Sequence, residues 1–114
     1  MSLPRYISVD LILPARDMAR VDRAVADSQD KFATWVREAV RNLAAREGVK
    51  LAEVRSLPRV GPWAPDRYDV SKQRHAILFP RSWHSTLNRL AKRLGNSKSG
   101  VLRIAVLQRV NGIK

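Results

Sequence analysis

The chain has 114 residues, 45% of them hydrophobic and 28% charged, which is typical of one globular domain and too short for two independent cores. Its net charge of +12 favours a polyanionic partner, either nucleic acid or an anionic membrane. The chain has no Cys, which excludes disulfides and thiolate metal sites. The lack of disulfides agrees with a reducing cytosol. No apolar run approaches the roughly 18 residues that span a bilayer, so we expect a cytoplasmic protein with no membrane partner.

The charge is distributed unevenly along the chain. Residues 1–48 contain eight basic and seven acidic side chains, whereas residues 49–114 contain fourteen and three. From Val70 to the C-terminus there are ten Lys or Arg and no acidic residue. This imbalance favours a polyanion-binding surface, and a basic surface that serves only solubility is the plainer alternative.

The first half of the chain predicts a strand followed by two helices. Apolar and polar residues alternate from Ile7 to Leu13, the period of a half-buried strand. Pro14 ends that strand and suits the first turn of a helix over about 15–28. We expect Asp30 to cap the next helix, whose apolar residues keep a spacing of three and four, and Gly48 to end it.

The second half repeats this order. Residues Arg74 to Phe79 read as a short strand closed by Pro80, and an amphipathic helix then runs up to Gly95. Ser97 is the expected cap of a last helix. That helix is apolar on so many sides that we expect it at the centre of the core.

The two halves align without a gap at an offset of 66 residues. Pro14 then falls on Pro80, and Ala39 falls on Ala105. Few residues are identical, but the strand, proline, helix, turn and helix are in register, which indicates an internal duplication. Between the halves, residues 49–71 contain three prolines and read as a connector.

Both halves resemble the ribbon-helix-helix DNA-binding family of Arc/MetJ type. The resemblance rests on two segments, ISVDLILPARDMARVDRAVADSQDKFATWVREAVRNL and RHAILFPRSWHSTLNRLAKRLGNSKSGVLRIAVLQRV. The second is the more specific match, because the family favours Gly-x-Ser-x-Ser at the turn between the helices. Those places hold Gly95, Ser97 and Ser99 in the second copy and Gln29, Lys31 and Ala33 in the first.

The resemblance implies a mainly α fold with a two-stranded antiparallel β-ribbon. One copy of about 40 residues is too small to bury its apolar faces and leaves its strand unpaired, and members of the family dimerise. Here the strand Ser8 to Ile12 is expected to pair with the strand Arg74 to Leu78. The chain is then a single domain, a tandem pseudo-dimer made of copy 5–48, connector 49–71 and copy 72–114.

The resemblance also implies that the outward face of the ribbon reads DNA bases in the major groove. Arg74 is the natural guanine reader, whereas Asp10 can accept a hydrogen bond only from a donor such as cytosine N4. Because the halves differ in charge and ribbon residues, we expect an asymmetric recognition sequence. The expected base-reading residues are Ser8, Asp10, Ile12, Arg74, Ala76 and Leu78, with Val9, Leu11, Leu13, Ile77 and Phe79 facing inward.

Family members usually place the start of the second helix against a DNA phosphate, where unpaired N–H groups and the helix dipole favour an anion. In the first copy, Asp30 is expected to repel phosphate, with Lys31 partly offsetting it. The phosphate contacts that we expect are Arg5, Lys31, Lys72, Asn96, Ser97, Lys98 and Ser99.

No catalytic residue, cofactor or metal site is expected. The two histidines, His75 and His84, lack Cys, His or acidic partners at ligand spacing, and His75 is expected to be partly buried at the ribbon.

The leading function is sequence-specific double-stranded DNA binding by a bacterial, plasmid or phage transcriptional repressor. Three alternatives stay open: a relaxosome accessory protein with a relaxase partner at a plasmid origin of transfer, an antitoxin with a toxin partner, and a protein-interaction module that uses the apolar ribbon face. Self-association of pseudo-dimers on DNA also stays open.

Overall fold

The computed structural model describes residues 6–51 and 74–112. Within those ranges the chain is mainly helical, with one two-stranded antiparallel sheet and four helices. None of the described helices is long and apolar enough to cross a membrane. In chain order the elements are β1 (Tyr6–Ile12), α1 (Ala15–Ser28), α2 (Phe32–Arg46), β2 (Arg74–Pro80), a 3-10 turn (Arg81–Trp83), α3 (His84–Leu94) and α4 (Lys98–Val110).

The two strands form a ribbon by pairing along their whole length. Tyr6 lies opposite Pro80, Val9 opposite Ile77 and Ile12 opposite Arg74. The predicted pairing of Ser8–Ile12 with Arg74–Leu78 is therefore confirmed. The first strand begins and ends one residue earlier than the alternation predicts.

The core lies between the inner face of the ribbon and the four helices. Every ribbon residue predicted to face inward is buried, as is Leu13 just after β1: Val9, Leu11, Leu13, Ile77 and Phe79. Alternation along a strand puts every second side chain on the same face, which is why these positions cluster. Helix α4 contacts α1, α2, α3 and β1, and this confirms its predicted place at the centre of the core.

Side chains from α4 also bind α2 directly. Arg109 Nη1 donates a hydrogen bond of 2.7 Å to the carbonyl oxygen of Trp35, and its guanidinium carbon lies 4.6 Å from the centroid of the Trp35 ring. Arg46 Nη2 donates to Gln108 Oε1 near the other end of α2. The two halves of the sequence thus share one core rather than forming two.

The helix boundaries confirm one predicted cap and correct another. Ser97 Oγ accepts a hydrogen bond of 3.1 Å from the Gly100 N–H at the start of α4, as predicted. The prediction that Asp30 caps α2 is wrong, because the residue before α2 is Lys31 and no side chain caps the helix. The N–H of Asp30 instead donates to Ser28 Oγ at 3.1 Å, within the turn that ends α1.

The turns after α1 and α3 share a left-handed backbone. Gly95 ends α3 with φ +65°, as predicted, and Gln29 occupies the same conformation after α1, also with φ +65°. A residue with a Cβ is strained at positive φ, whereas glycine is not. Gln29 is thus a strained position, and it is the position that the sequence alignment matches with Gly95.

Replacing Gln29 with glycine is expected to raise the free energy of unfolding by about 0.5–1 kcal/mol, because the released strain exceeds the entropy that glycine adds to the unfolded chain. Urea denaturation followed by circular dichroism measures this. The matched control is the reverse change, Gly95→Gln, which is expected to lower stability by about 1 kcal/mol. No atom lies within 4 Å of a Cβ built at Gly95, so the backbone alone decides the result. Equal losses from both variants would contradict the strain at Gln29.

The order strand, helix, helix occurs twice, and corresponding helical segments begin at a constant spacing. Helix α1 spans 15–28, and the 3-10 turn with α3 spans 81–94, an offset of 66 at both ends (81 − 15 and 94 − 28). Helix α2 begins at residue 32 and α4 at residue 98, which is again an offset of 66. The offset read from the sequence therefore describes the helical part of the fold.

Candidate nucleic-acid interface

The outer face of the ribbon is open to solvent in the part of the chain that the structure describes. Its predicted outward residues are Ser8, Ile12, Arg74 and Ala76, which are exposed, and Asp10 and Leu78, which are half-buried. The alternation therefore predicted the orientation of both strands correctly. Contact of these side chains with DNA bases stays a prediction.

Arg74 and Asp10 form an ion pair across this face. Arg74 Nε donates a hydrogen bond of 2.9 Å to Asp10 Oδ2, and Arg74 Nη2 donates to the same oxygen. The pair is diagonal, because Asp10 lies opposite Ala76 and Arg74 lies opposite Ile12. The two residues predicted to read separate bases are thus joined in the unbound protein.

Tyr6 also belongs to the outer face, although the sequence prediction omitted it. It is 40% exposed and precedes Ser8 by two residues on β1, so its side chain lies on the same face. Extending the two-residue alternation back by one step would have found it. Its phenol can donate a hydrogen bond to a phosphate, and it can donate to a base or accept from one.

Buried Arg37 links α2 to the ribbon. Its Nε donates a hydrogen bond of 2.7 Å to the carbonyl oxygen of Leu78 on β2. Burial lowers the pKa of Arg37 below its ordinary value, and the electrostatic effect of Tyr6 partly opposes that shift. The contact fixes β2 against α2, so Arg37 supports the outer face without lying on it.

The start of α4 lies against the ribbon. Ser99 Oγ donates a hydrogen bond of 2.7 Å to the carbonyl oxygen of Asp10, in the middle of β1. The first helical hydrogen bond joins Val101 N–H to the Ser97 carbonyl oxygen at 3.0 Å, so the N–H groups of Lys98 and Ser99 precede it. The first turn holds no acidic residue, which leaves the positive end of the helix dipole unopposed there.

The residues predicted to hold phosphate in this loop have different surroundings. Lys98 Nζ lies 2.9 Å from His84 Nε2. Asn96 donates its backbone N–H to the Ala91 carbonyl oxygen at 2.9 Å, and its side chain packs over Gly100. Because the Ser99 hydroxyl already donates to β1, the groups best placed for an anion are the Lys98 ammonium and the first-turn N–H groups.

The start of α2 also lies beside the ribbon. The Phe32 ring makes an edge contact with His75 of β2, with ring centroids 5.2 Å apart. His75 is half-buried there, as predicted. Lys31 is exposed immediately before the helix, next to exposed Asp30, so this helix start has a weaker positive charge than that of α4. The other two predicted phosphate contacts, Arg5 and Lys72, lie outside the described residues.

A row of basic side chains covers the exposed side of α3 and the turn before it. Arg93 Nε is 2.8 Å from Glu47 Oε2 and is thereby partly neutralised. Within the described chain, Arg81, Arg89 and Lys92 are exposed and form no ion pair. These three cations are available to a polyanion.

Other kinds of site would be a metal centre or a surface depression. The described ranges contain no group of three or more His, Cys, Asp or Glu that could hold a metal ion. An open depression of about 390 Å³ lies on α1 beside the end of α4, lined by Ala19, Arg20, Arg23, Ala24, Asp27 and Val110.

Comparisons with protein-family models, curated proteins and solved structures find no match to this chain.

Proposed function

We propose that this protein binds double-stranded DNA sequence-specifically by placing the outer face of its ribbon in the major groove. The observation that carries the proposal is an antiparallel ribbon whose outer face is not covered by any described residue, with the Arg74 side chain projecting from it, 71% exposed. The major groove of B-DNA is about 12 Å wide and admits a two-stranded ribbon. Arginine is the side chain that most often reads guanine there.

We further propose that the chain is a tandem ribbon-helix-helix pseudo-dimer. The repeated strand-helix-helix order and the offset of 66 residues between the starts of corresponding helical segments support this. Gln29 and Gly95 are separated by the same offset and have the same φ. The antiparallel pairing of β1 with β2 corresponds to the strand pairing that joins two protomers in the family.

The helix starts beside the ribbon supply the proposed phosphate contacts. Helix α4 approaches β1 through Ser99, and α2 approaches β2 through Phe32. Lys98 and the first turn of α4 then bind one backbone, and Lys31 makes a weaker contact at α2. This arrangement positions the protein, while the ribbon supplies specificity.

The biological role that we propose is transcriptional repression through coverage of a promoter. A relaxosome factor and an antitoxin would use the same DNA contact and differ in their protein partner, a relaxase or a toxin. Co-purification of such a partner in stoichiometric amount would favour one of those roles.

Selection of bound sites from random duplex DNA tests the proposal. Arg74→Ala is the ribbon variant. Arg89→Ala is its matched control, because it removes an exposed cation on α3. We expect one enriched, non-palindromic motif at about 0.15 M salt. Arg74→Ala should weaken binding to that motif about 10- to 100-fold and relax one position. Arg89→Ala should reduce the affinity for all sequences by the same factor. The magnitude of the slope of log K against log salt concentration should fall by about 0.9, the value for one phosphate contact.

The contrary outcomes are distinct. Equal effects of the two variants across many sequences would overturn the major-groove contact. Salt-sensitive binding without an enriched motif would leave only nonspecific attraction. A protein-interaction module is then the second candidate, favoured by Tyr6 and Ile12, which are 40% and 46% exposed on the ribbon. A stoichiometric protein partner without a DNA shift would support it.

A further inference from the structure

The ion pair between Arg74 and Asp10 has a geometry that bears on base recognition. Asp10 Oδ2 accepts hydrogen bonds from Arg74 Nε and Nη2. The carboxylate therefore lies along the side of the guanidinium group rather than at its end. Asp10 is the one acidic residue on either strand of the ribbon, so Arg74 has no competing carboxylate partner there.

The ion pair between Arg74 and Asp10 contributes little to the free energy of unfolding of the protein. The Arg74 side chain is 71% exposed and the Asp10 side chain 31% exposed. Ion pairs between exposed side chains contribute little, because water and salt screen them and both side chains lose conformational freedom. The contact has a clearer effect on where the guanidinium group points.

The pair leaves free the donors that a guanine needs. A guanidinium group has five N–H bonds, one on Nε and two on each terminal nitrogen. Asp10 uses the Nε–H and one N–H of Nη2. Both N–H bonds of Nη1 and one of Nη2 remain, and this end of the group can donate to O6 and N7 of one guanine.

Asp10 is itself held in place by the fold. Its carbonyl oxygen accepts a hydrogen bond of 2.7 Å from Ser99 Oγ at the start of α4. The strand residue that holds Arg74 is therefore tied to the proposed phosphate-binding turn. The Ser99–Asp10 hydrogen bond would therefore fix the distance between a phosphate contact at Lys98 and a base contact at Arg74.

We infer that Asp10 is a specificity-determining positioning residue that orients Arg74 toward a guanine, rather than a direct reader of cytosine. This inference rests on the proposed DNA binding by the ribbon. In water a flexible arginine side chain samples many rotamers, and a contact that selects one of them raises discrimination between bases. Asp10 also repels DNA phosphates, which lowers affinity for every sequence, whereas its contact with Arg74 favours only sequences that contain the guanine.

The arginine–carboxylate pair occurs on only one side of the ribbon's centre. At the offset of 66 residues, Ala76 corresponds to Asp10 and Ser8 corresponds to Arg74. The equivalent positions on the other side of the ribbon's centre, Ser8 on β1 and Ala76 on β2, therefore hold neither an arginine nor a carboxylate. The recognition site accordingly contains one strongly selected guanine, displaced to one side of its centre.

The test is a double-mutant cycle with the full chain and two duplexes, the selected site and the same site with its guanine replaced by adenine. We expect the natural protein to prefer guanine by about tenfold or more. Asp10→Ala should reduce that preference by at least about threefold while binding the adenine site equally or more tightly. In an Arg74→Ala background, Asp10→Ala should leave the preference unchanged, because no guanidinium remains to be oriented.

The outcomes separate this inference from the proposed function. If the natural protein selects no sequence, the proposed function fails. If it selects a guanine that depends on Arg74, and Asp10→Ala raises affinity for both duplexes by the same factor, then Asp10 acts only by charge and the inference is overturned. An Asp10→Asn variant retains an acceptor oxygen, so it should keep more of the guanine preference than Asp10→Ala does.

Discussion

Replacing Leu11 with alanine is expected to lower the free energy of unfolding by about 2–5 kcal/mol, a large share of the about 5–15 kcal/mol that stabilises a typical domain. Leu11 is fully buried on the inner face of β1, opposite His75. Truncation removes apolar contacts and leaves a cavity beneath the ribbon, where both halves of the chain meet. Urea denaturation followed by circular dichroism and by tryptophan fluorescence measures the loss.

The adjacent residue provides a matched control. Ile12 is 46% exposed on the outer face of the same strand, so Ile12→Ala is expected to change stability by less than about 1 kcal/mol. Because successive residues of a strand face opposite sides, a one-residue shift in pairing would exchange these two effects. Equal losses from Leu11→Ala and Ile12→Ala would contradict the observed ribbon.

Replacing Ala76 with glutamate is expected to weaken DNA binding by about 100-fold, since like charges brought together at an interface cost several kcal/mol. Ala76 is exposed on the outer face of β2, opposite Asp10. A carboxylate there would enter the groove between two phosphate backbones and would compete with guanine for Arg74. Titration of a labelled duplex measures the change in affinity.

The control introduces the same charge elsewhere. Ala45 is exposed near the end of α2, about 20 Å along the helix from the end that borders the ribbon. Ala45→Glu is expected to reduce affinity less than threefold, through net charge alone. Ala76→Glu should cost at most about 1 kcal/mol of stability from repulsion by Asp10. Similar affinities of the two variants would place DNA away from the ribbon.

The inward and outward faces of the ribbon could be predicted because they depend on local periodicity. Val9 and Ile77 are both buried, and Ser8 and Ala76 are both exposed, as alternation requires. The caps were less predictable, because several residue types near a helix start can form them. Asp30 has the side chain of a cap, but α2 begins after Lys31, and the hydroxyl of Ser28 binds the Asp30 N–H instead.

The contacts within the candidate interface depend on the register between distant segments, which composition and spacing do not reveal. Arg74 meets Asp10 only because Ile12 lies opposite Arg74 in the ribbon. The family resemblance implied that Ser99 contacts phosphate, which stays a prediction, and in the unbound protein its hydroxyl donates to the Asp10 carbonyl oxygen in β1. The sequence thus predicted which ribbon residues face outward, whereas the fold determined which side chains of the candidate interface bind one another.

The long separation between β1 and β2 has a consequence for folding. Ile12 and Arg74 are paired although they are 62 positions apart (74 − 12). At about 5–20 residues per second, the ribosome synthesises β1 about 3–12 s before β2. Until then the N–H and C=O groups of β1 lack their partner strand, so β1 of one chain can pair with β2 of another. Strand exchange between chains is second order in protein concentration, and dilute refolding therefore favours the closed monomer over a swapped dimer.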